Sequence, residues 1–209
     1  ARLMAAGLSI QQLNACRKHL SRLKGGRLAL ALAGPVAVLV LSDVPGDDLS
    51  AIGSGPLVPD PTTFQEVLAL ARGAGVEADL PASVRAHLLA GARGERPETP
   101  KPGDPRFAGV THRLLAGPVD LARAAAAAAA RLGFEAEAEP DPVTGDVAAF
   151  AGRVAAWARE RAGRGRRLLA VGGEPTVRVP AGPRPDGGRA QHLALLVARG
   201  LAGLPAAFL

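Results

Sequence analysis

The sequence predicts an α/β protein built from two α/β domains, over residues 1–109 and 110–209. Continuous apolar runs at 36–41 and 168–171 are typical of strands buried inside a parallel sheet. Between these runs, apolar residues recur every three or four positions, which is the spacing of amphipathic helices. Residues 91–109 are polar, contain four prolines and show no hydrophobic period, so they form the predicted linker at the end of the first domain.

The first helix is predicted from its apolar stripe, whose members follow one another at spacings of three, four and three: Leu13, Cys16, Leu20 and Leu23. Gly25 and Gly26 then end this helix. Its other face would present three polar side chains one turn apart: Arg17, Ser21 and Lys24. Because Cys16 lies on the apolar stripe, we assign it to the core rather than to a nucleophile.

The rest of the first domain is predicted from one strand and two helices. Residues 36–41 (VAVLVL) form a strand expected to be buried on both faces. Thr63 and Glu66 have the spacing of a capping box, which starts a helix whose buried face carries Phe64 and Val67. A further helix begins at Pro81, a residue favoured in the first turn.

The second domain continues the alternation of strands and helices. Residues 110–116 and 168–171 are predicted strands, with 176–179 as a hairpin partner of the latter. Residues 119–132 form a helix whose seven consecutive alanines suit close packing, and a second helix follows from Val147. The last helix is predicted from Arg189 to about Leu201, after Gly187 and Gly188.

Composition excludes several classes of protein. The chain has 209 residues, a net charge of +6 and one cysteine, which excludes a disulfide scaffold and suits the reducing cytoplasm. It shows no signal-peptide pattern, and no apolar run approaches the length of a membrane span. Aromatic residues make up only 3% of the chain, so few bases could stack, and we expect no nucleic-acid partner.

Two predicted strand ends carry acidic residues beside glycines, at 42–48 and 172–174. Ligands of open α/β sheets gather at the carboxyl ends of the strands. Clustered carboxylates there suit Mg²⁺, which shares its oxygen ligands with substrate phosphates. The alternative is that Asp43 and Asp47 only accept hydrogen bonds within turns.

Two cationic segments are candidate anion sites. Lys24 precedes Gly25 and Gly26. A cation next to glycines, whose main-chain N–H groups are accessible, is suited to binding a phosphate or carboxylate group. Arg189 opens a helix, where the helix dipole disfavours a cation, and such a misfit points to function. In both places a solvated surface remains the alternative.

Four ordered segments resemble the class II glycerate kinases with a MOFRL-type C-terminal domain. Residues 14–28 (NACRKHLSRLKGGRL), then 42–62 with SDVPGDD, SGP and PDPT, are similar to the family's first two segments. Residues 97–101 (PETPK) resemble a third segment. Residues 172–174 (GGE) with 188–191 (GRAQ) resemble the fourth. The chain would then be the central half of a longer protein.

The resemblance implies a Rossmann-like N-terminal part and a MOFRL-type C-terminal part, with the active site in an interdomain cleft. It implies phosphorylation of the small molecule glycerate by ATP with Mg²⁺, with 2-phosphoglycerate as the favoured product. The catalytic residues would be Lys24, Glu174 and Arg189. Substrate and nucleotide would contact Arg17, Ser21, Gly25, Gly26, Ser54, Gly55 and Gln191, and the metal would contact Asp43 and Asp47.

Two other functions remain open from the sequence. One is an NAD(P)H-dependent hydroxypyruvate reductase, a label often given to this family, although the chain lacks the G-x-G-x-x-G dinucleotide fingerprint. The other is a non-catalytic family member that only binds its ligand. Its support is that Ala190 and His192 replace an asparagine and a glutamate of the family pattern, which Pro175 also departs from by replacing a threonine. Whether the protein forms a homodimer is also open.

Overall fold

The computed structural model describes residues 2–44, 46–178 and 186–208, and within them it is a mixed α/β structure, as predicted. The helices are α1 (Arg2–Ala5), α2 (Ile10–His19), α3 (Arg27–Ala31), α4 (Phe64–Gly73), α5 (Ala82–Ala92), α6 (Pro118–Arg131), α7 (Val147–Arg161) and α8 (Arg189–Gly200). The strands are β1 (Val36–Leu41), β2 (Val110–Ala116), β3 (Glu135–Ala138) and β4 (Arg167–Ala170). Short 3-10 turns cover Ile52–Ser54 and Pro105–Phe107.

The chain divides into two compact units. The first contains Ala1–Val40 and Gly46–Leu115, and the second contains Leu41–Pro45 and Ala116–Leu209. The predicted linker at 91–109 lies with the first unit, and its Thr99 is buried there.

The core of the first unit lies between α2, α4 and α5. Its buried members are Ala15, Cys16, Phe64, Val67, Leu68 and Leu88. Thr63 and Glu66 form the predicted capping box at the start of α4. The Phe64 ring packs directly over Gly91 of α5, where any added Cβ would overlap the ring, so this helix contact requires glycine. Cys16 is a core residue as predicted, and burial raises the pKa of its thiol.

Strands β1 and β2 pair side by side in a two-stranded sheet. The N–H of Val36 donates to Gly109 O at 2.9 Å and the N–H of Ser42 donates to Ala116 O at 3.0 Å, so both strands run in the same direction. The prediction that β1 is buried on both faces is wrong. Only Val40 is buried, while Leu39 and Leu41 are 66% and 72% exposed, because no second layer within the described residues covers those side chains.

The second unit contains a parallel pair of strands, with Glu135 of β3 opposite Arg167 of β4 and Ala138 opposite Ala170. The predicted close packing of the seven alanines at 124–130 holds for one face of α6 only: Ala126 and Ala129 are buried, together with the earlier Ala122, while most of the run is exposed. Helices α7 and α8 bury a separate cluster: Val143, Val147, Phe150, Ala151, Leu193, Val197 and Leu201. Strand β3 was not predicted, because its alternating Glu and Ala carry little apolar signal.

The hairpin predicted for 176–179 has a different partner from the one expected. Thr176 forms a parallel bridge with Asp146, just before α7, and its N–H donates to Gly145 O at 2.6 Å. Val179 lies outside the described residues. Among the helices that the structure describes, none combines the length and the apolar character needed to cross a lipid bilayer.

Candidate functional site

The segment between α2 and α3 forms a tight turn instead of continuing the helix. Helix α2 ends at His19, and the Ser21 hydroxyl accepts hydrogen bonds from the N–H groups of Leu23 and Lys24, at 3.2 Å each. A serine that accepts from nearby main-chain groups stabilises a turn in competition with helix. The prediction of one helical face for Arg17, Ser21 and Lys24 is therefore wrong, since only Arg17 lies on α2.

Two glycine-containing segments of the first unit are tied together by three hydrogen bonds. The N–H of Gly25 donates to Ser54 O at 3.1 Å, and the N–H of Gly26 donates to Gly55 O at 2.8 Å. Lys24 Nζ donates to Gly53 O at 2.7 Å. We call residues 24–26 and 53–55 the loop pair. It brings five predicted site residues together, and its main-chain N–H groups at 25 and 26 are bonded within the protein.

Gly26 is required by the geometry of the loop pair. Its φ is +82°, in the left-handed region that favours glycine. A Cβ at this position would lie 2.8 Å from Phe107 Cζ and 3.0 Å from Val58 O. A side chain here would therefore be strained and would also collide with Phe107 and Val58.

Asn14 holds two of the predicted binding residues. Its Oδ1 accepts from Ser54 Oγ and from Arg17 Nη1, at 3.1 Å each, while its Nδ2 donates to Ala51 O at 3.5 Å. Ser54 is buried with a φ of +62°, which is uncommon for a residue with a side chain. The Asn14 amide therefore stabilises a strained serine and orients an exposed arginine at the same time.

A buried ion pair lies beneath the loop pair. Lys18 Nζ is 3.3 Å from Asp60 Oδ1, and their side chains are 7% and 0% exposed. Asp60 also accepts from the hydroxyl groups of Thr62, at 2.8 Å, and Thr99, at 3.1 Å. A buried carboxylate of this kind persists when it is paired and hydrogen-bonded, and Asp60 meets this condition through Lys18, Thr62 and Thr99.

Glu98 connects three segments of the first unit. One carboxylate oxygen accepts from the N–H of Phe64 at 2.8 Å, at the start of α4. The other accepts from Lys101 Nζ at 3.1 Å and lies 3.2 Å from His19 Nε2. Burial raises the pKa of Glu98, but the hydrogen bonds from Phe64 and Lys101 outweigh it, so the pKa lies below its ordinary value.

Arg27, the first residue of α3, is a partly buried cation beside this layer. Burial lowers the pKa of its guanidinium, although the charges of Glu98 and Asp60 act in the opposite direction. Its Nη2 donates to Pro97 O at 3.3 Å, and its Nε is buried without a hydrogen-bond partner among the described residues.

Sequence reasoning did not single out this polar layer. A usable signal was present, because Lys18 and His19 lie three residues after Ala15 and Cys16 and thus share the buried face of α2. Charged residues on an apolar helix face require buried partners. The partners themselves are distant in the sequence, at 60 and 98–101, and spacing alone could not assign them.

In the second unit, two residues predicted to be catalytic form an ion pair. Arg189 Nη1 is 2.7 Å from Glu174 Oε2, and both side chains are about half exposed, at 52% and 50%. Gln191 caps the same helix, because its Oε1 accepts from the N–H of Gly188 at 3.0 Å. The carboxylate of Glu174 offsets the unfavourable position of a cation in the first turn of α8.

The two predicted metal ligands lie in different units. Asp43 is exposed and belongs to the second unit. Asp47 belongs to the first, has a φ of +53°, and its buried Oδ1 has no hydrogen-bond partner among the described residues. An unpartnered carboxylate oxygen fits the donor type that Mg²⁺ prefers. Within residues 2–44, 46–178 and 186–208, no cluster of three or more metal-ligating side chains is present.

Comparison with known proteins finds relatives that match nearly the whole chain. Residues 1–89 match the family model described as "Domain of unknown function (DUF4147)". The chain is 38% identical over 212 residues to the "Glycerate 2-kinase" of Pyrococcus horikoshii, covering 98% of this chain and 47% of that protein. It is 40% identical over 207 residues to a "Putative hydroxypyruvate reductase" of Agrobacterium vitis, covering 96% and 45%.

The structural comparison agrees with the sequence comparison. A crystal structure of glycerate kinase from Thermotoga maritima matches with a TM-score of 0.71 and 33% identity, over 98% of this chain and 47% of that one. The chain is therefore similar to glycerate kinases along nearly its whole length. It spans about half the length of the relatives it matches.

Proposed function

We propose that the full-length protein containing this chain is a glycerate kinase that transfers the γ-phosphoryl group of ATP to a hydroxyl of glycerate. The observation that carries the proposal is homology to glycerate kinases over 98% of the chain, at 38% identity in one relative. In the transfer, the glycerate oxygen forms a bond to phosphorus, the bond to ADP breaks, and the hydroxyl proton is released. We favour 2-phosphoglycerate as the product.

The chemistry of phosphoryl transfer suits the residue types in both units. Such reactions need positioning and charge neutralisation far more than covalent participation by the protein. Lys24 and Arg17 in the first unit, and Arg189 in the second, are the cations proposed to hold phosphate and carboxylate oxygens. Lys24 uses one of its three N–H donors on Gly53 O, so two remain for an anion.

Glu174 and Gln191 are proposed to act by positioning Arg189. Glu174 contacts the guanidinium directly, and Gln191 caps the helix whose first residue is Arg189. Together they keep the side chain in one orientation before an anion binds. Preorganised donors of this kind reduce the cost of reorganisation during the reaction.

Mg²⁺ is proposed as the required metal, with Asp47 and Asp43 as its protein ligands. The unpartnered Oδ1 of Asp47 supports the first assignment. When bound, the metal would neutralise charge on the phosphates. Within the first unit, Ser54 and Gly55 would line the substrate path, since Lys24 and Asn14 already hold that segment in place.

The proposed domain organisation is an N-terminal α/β domain over 1–109 and a C-terminal MOFRL-type α/β domain over 110–209. The second candidate function is a hydroxypyruvate reductase, which is favoured by the name of the Agrobacterium vitis relative alone. The third is a binding protein without activity, for which the replacements at 190 and 192 are the argument.

One assay on the full-length protein separates the three functions. Purified protein is given glycerate with Mg²⁺ and ATP, and in a parallel sample hydroxypyruvate with NADPH. We expect ADP formation that requires both glycerate and Mg²⁺, and that stops when a chelator is added. Oxidation of NADPH without ADP formation would assign the reductase, and no turnover in either sample would assign the binding protein.

A further inference from the structure

His19 is fully buried and makes two polar contacts through its ring. Its Nδ1 lies 2.9 Å from Ala15 O, one turn earlier in α2. A main-chain carbonyl oxygen can only accept a hydrogen bond, so Nδ1 must carry a proton. The edge of the ring packs against Phe64, with the ring centroids 4.7 Å apart, which leaves the ring no room to turn toward water.

The second ring nitrogen also faces an acceptor. His19 Nε2 lies 3.2 Å from Glu98 Oε2. The other partners of the Glu98 carboxyl are donors: the N–H groups of Phe64 and Thr99, at 2.8 and 3.2 Å, and Lys101 Nζ at 3.1 Å. Three donors around one carboxyl indicate the ionised, acceptor-only form, so Nε2 faces an acceptor and must also carry a proton.

We propose that His19 is held as an imidazolium, protonated on both ring nitrogens, and that this buried cation positions residues 97–101 against α2 beneath the loop pair. A neutral ring would place a bare nitrogen lone pair against a carboxylate oxygen, away from water. Such a contact is repulsive and leaves the buried Nε2 of His19 without a hydrogen-bond partner, which is costly. The proposal does not depend on the proposed function.

Charged side chains from several segments of the first unit lie near the His19 ring. Two carboxylates face the ring, Glu98 at Nε2 and Asp60, whose Oδ2 is 3.8 Å from Nδ1. The cations near it are bound to, or act on, these same carboxylates: Lys18, Lys101 and Arg27. His87 contacts the main chain rather than the ring, with its Nε2 2.9 Å from His19 O.

The position of His19 explains why its charge would matter for the loop pair. Glu98 joins α2 to the first N–H of α4, and Thr99 contacts Asp60 in the layer below. Gly25 lies directly on this layer. A Cβ added to Gly25 would be 3.0 Å from Lys18 Cβ and 3.2 Å from Thr99 Cγ2. Loss of the imidazolium would loosen the segment on which the loop pair lies.

Nuclear magnetic resonance of the full chain, labelled with ¹⁵N in its histidine rings, tests the proposal at pH 7.5. An exposed histidine has a pKa of about 6.5, so it is mostly neutral at this pH. We expect His19 to give two protonated ring nitrogens, whereas free histidine measured in the same buffer should show one bare nitrogen. Variants His87→Gln, His112→Gln and His192→Gln assign the signals by removing one ring at a time. A bare nitrogen on His19 would overturn the proposal.

A second measurement tests the part played by Glu98. In Glu98→Gln the amide oxygen can still accept from Nε2, but the negative charge is gone. We expect the doubly protonated fraction of His19 at pH 7.5 to fall at least severalfold. In the control Glu95→Gln, whose carboxylate pairs with Arg93, it should stay unchanged. A His19 signal that is identical in both variants would contradict the assignment of Glu98 as the group that holds the charge.

Discussion

Arg189 Nη1 lies 2.7 Å from Glu174 Oε2 in the second unit, and the pair is about half exposed. An arginine in the first turn of a helix opposes the helix dipole, and the carboxylate compensates for it. An exposed pair of this kind contributes little to stability, typically about 0–1 kcal/mol. The pair therefore fits the proposed role of Arg189, in which the guanidinium is held in position for an anion.

Arg189→Ala should separate activity from stability. Loss of charged hydrogen bonds to a substrate anion costs about 1.5–3 kcal/mol, so kcat/KM for glycerate should fall about tenfold to a hundredfold. The free energy of unfolding should change by less than about 1 kcal/mol. Steady-state kinetics and urea denaturation measure the two quantities. The control is Arg199→Ala at the other end of α8, which should leave both unchanged; equal activity of the two variants would remove Arg189 from the site.

Lys18→Met should be strongly destabilising. It leaves the carboxylate of Asp60 buried without its cation, and breaking a buried pair from one side costs about 3–5 kcal/mol. The matched control is Arg17→Met, the exposed neighbour on the same helix turn, which should cost no more than about 1 kcal/mol. Urea denaturation of both variants provides the comparison. Similar losses of unfolding free energy in the two variants would contradict a large stabilising contribution from the buried pair.

Asn14 and Ser54 should be energetically coupled. Asn14→Ala removes the acceptor of the buried Ser54 hydroxyl, and an unsatisfied buried group costs about 1–3 kcal/mol. The double variant Asn14→Ala with Ser54→Ala should therefore lose less stability than the sum of the single variants. The coupling is measured by a double-mutant cycle in urea. The exposed Gln11→Ala serves as control, and strictly additive losses would refute the coupling.

Glu98 predicts a specific dependence of stability on pH. Its folded-state pKa lies below the ordinary value, because the hydrogen bonds from Phe64 and Lys101 outweigh burial. Its stabilising contribution is therefore present above about pH 4.5 and is lost as the pH falls through the lowered pKa. Denaturation series below about pH 4.5 should show that Glu98→Gln loses less stability than the parent as the pH falls. Parallel curves for the two proteins would contradict the assigned hydrogen bonds.

Most elements of the fold follow from local signals in the sequence. The strand at Val36–Leu41, the capping box at Thr63 and the start of α8 at Arg189 all match the predictions. The burial of side chains was less predictable than the secondary structure. The apolar run of β1 indicates a strand, but it does not show which other element packs against that strand. The end of α2 was misplaced because the Ser21 turn competes with an apolar period that continues past it.

The candidate site was only partly predictable for a different reason. Residues of the loop pair stand out by their glycines and lysine, and the structure brings them together. The layer beneath them joins His19, Asp60 and Glu98, which are separated by about 40 residues at each step. Contacts at such separations depend on the packing of α2 against α4, which no local spacing encodes.

The proposed activity of the full-length protein is the transfer of the γ-phosphate of ATP to glycerate. The most direct measurement uses ATP labelled in its γ-phosphate, with chromatography and mass spectrometry of the products. We expect the label to move to phosphoglycerate only when glycerate and Mg²⁺ are both present. Label that remains in ATP, or that appears only as inorganic phosphate, would contradict it.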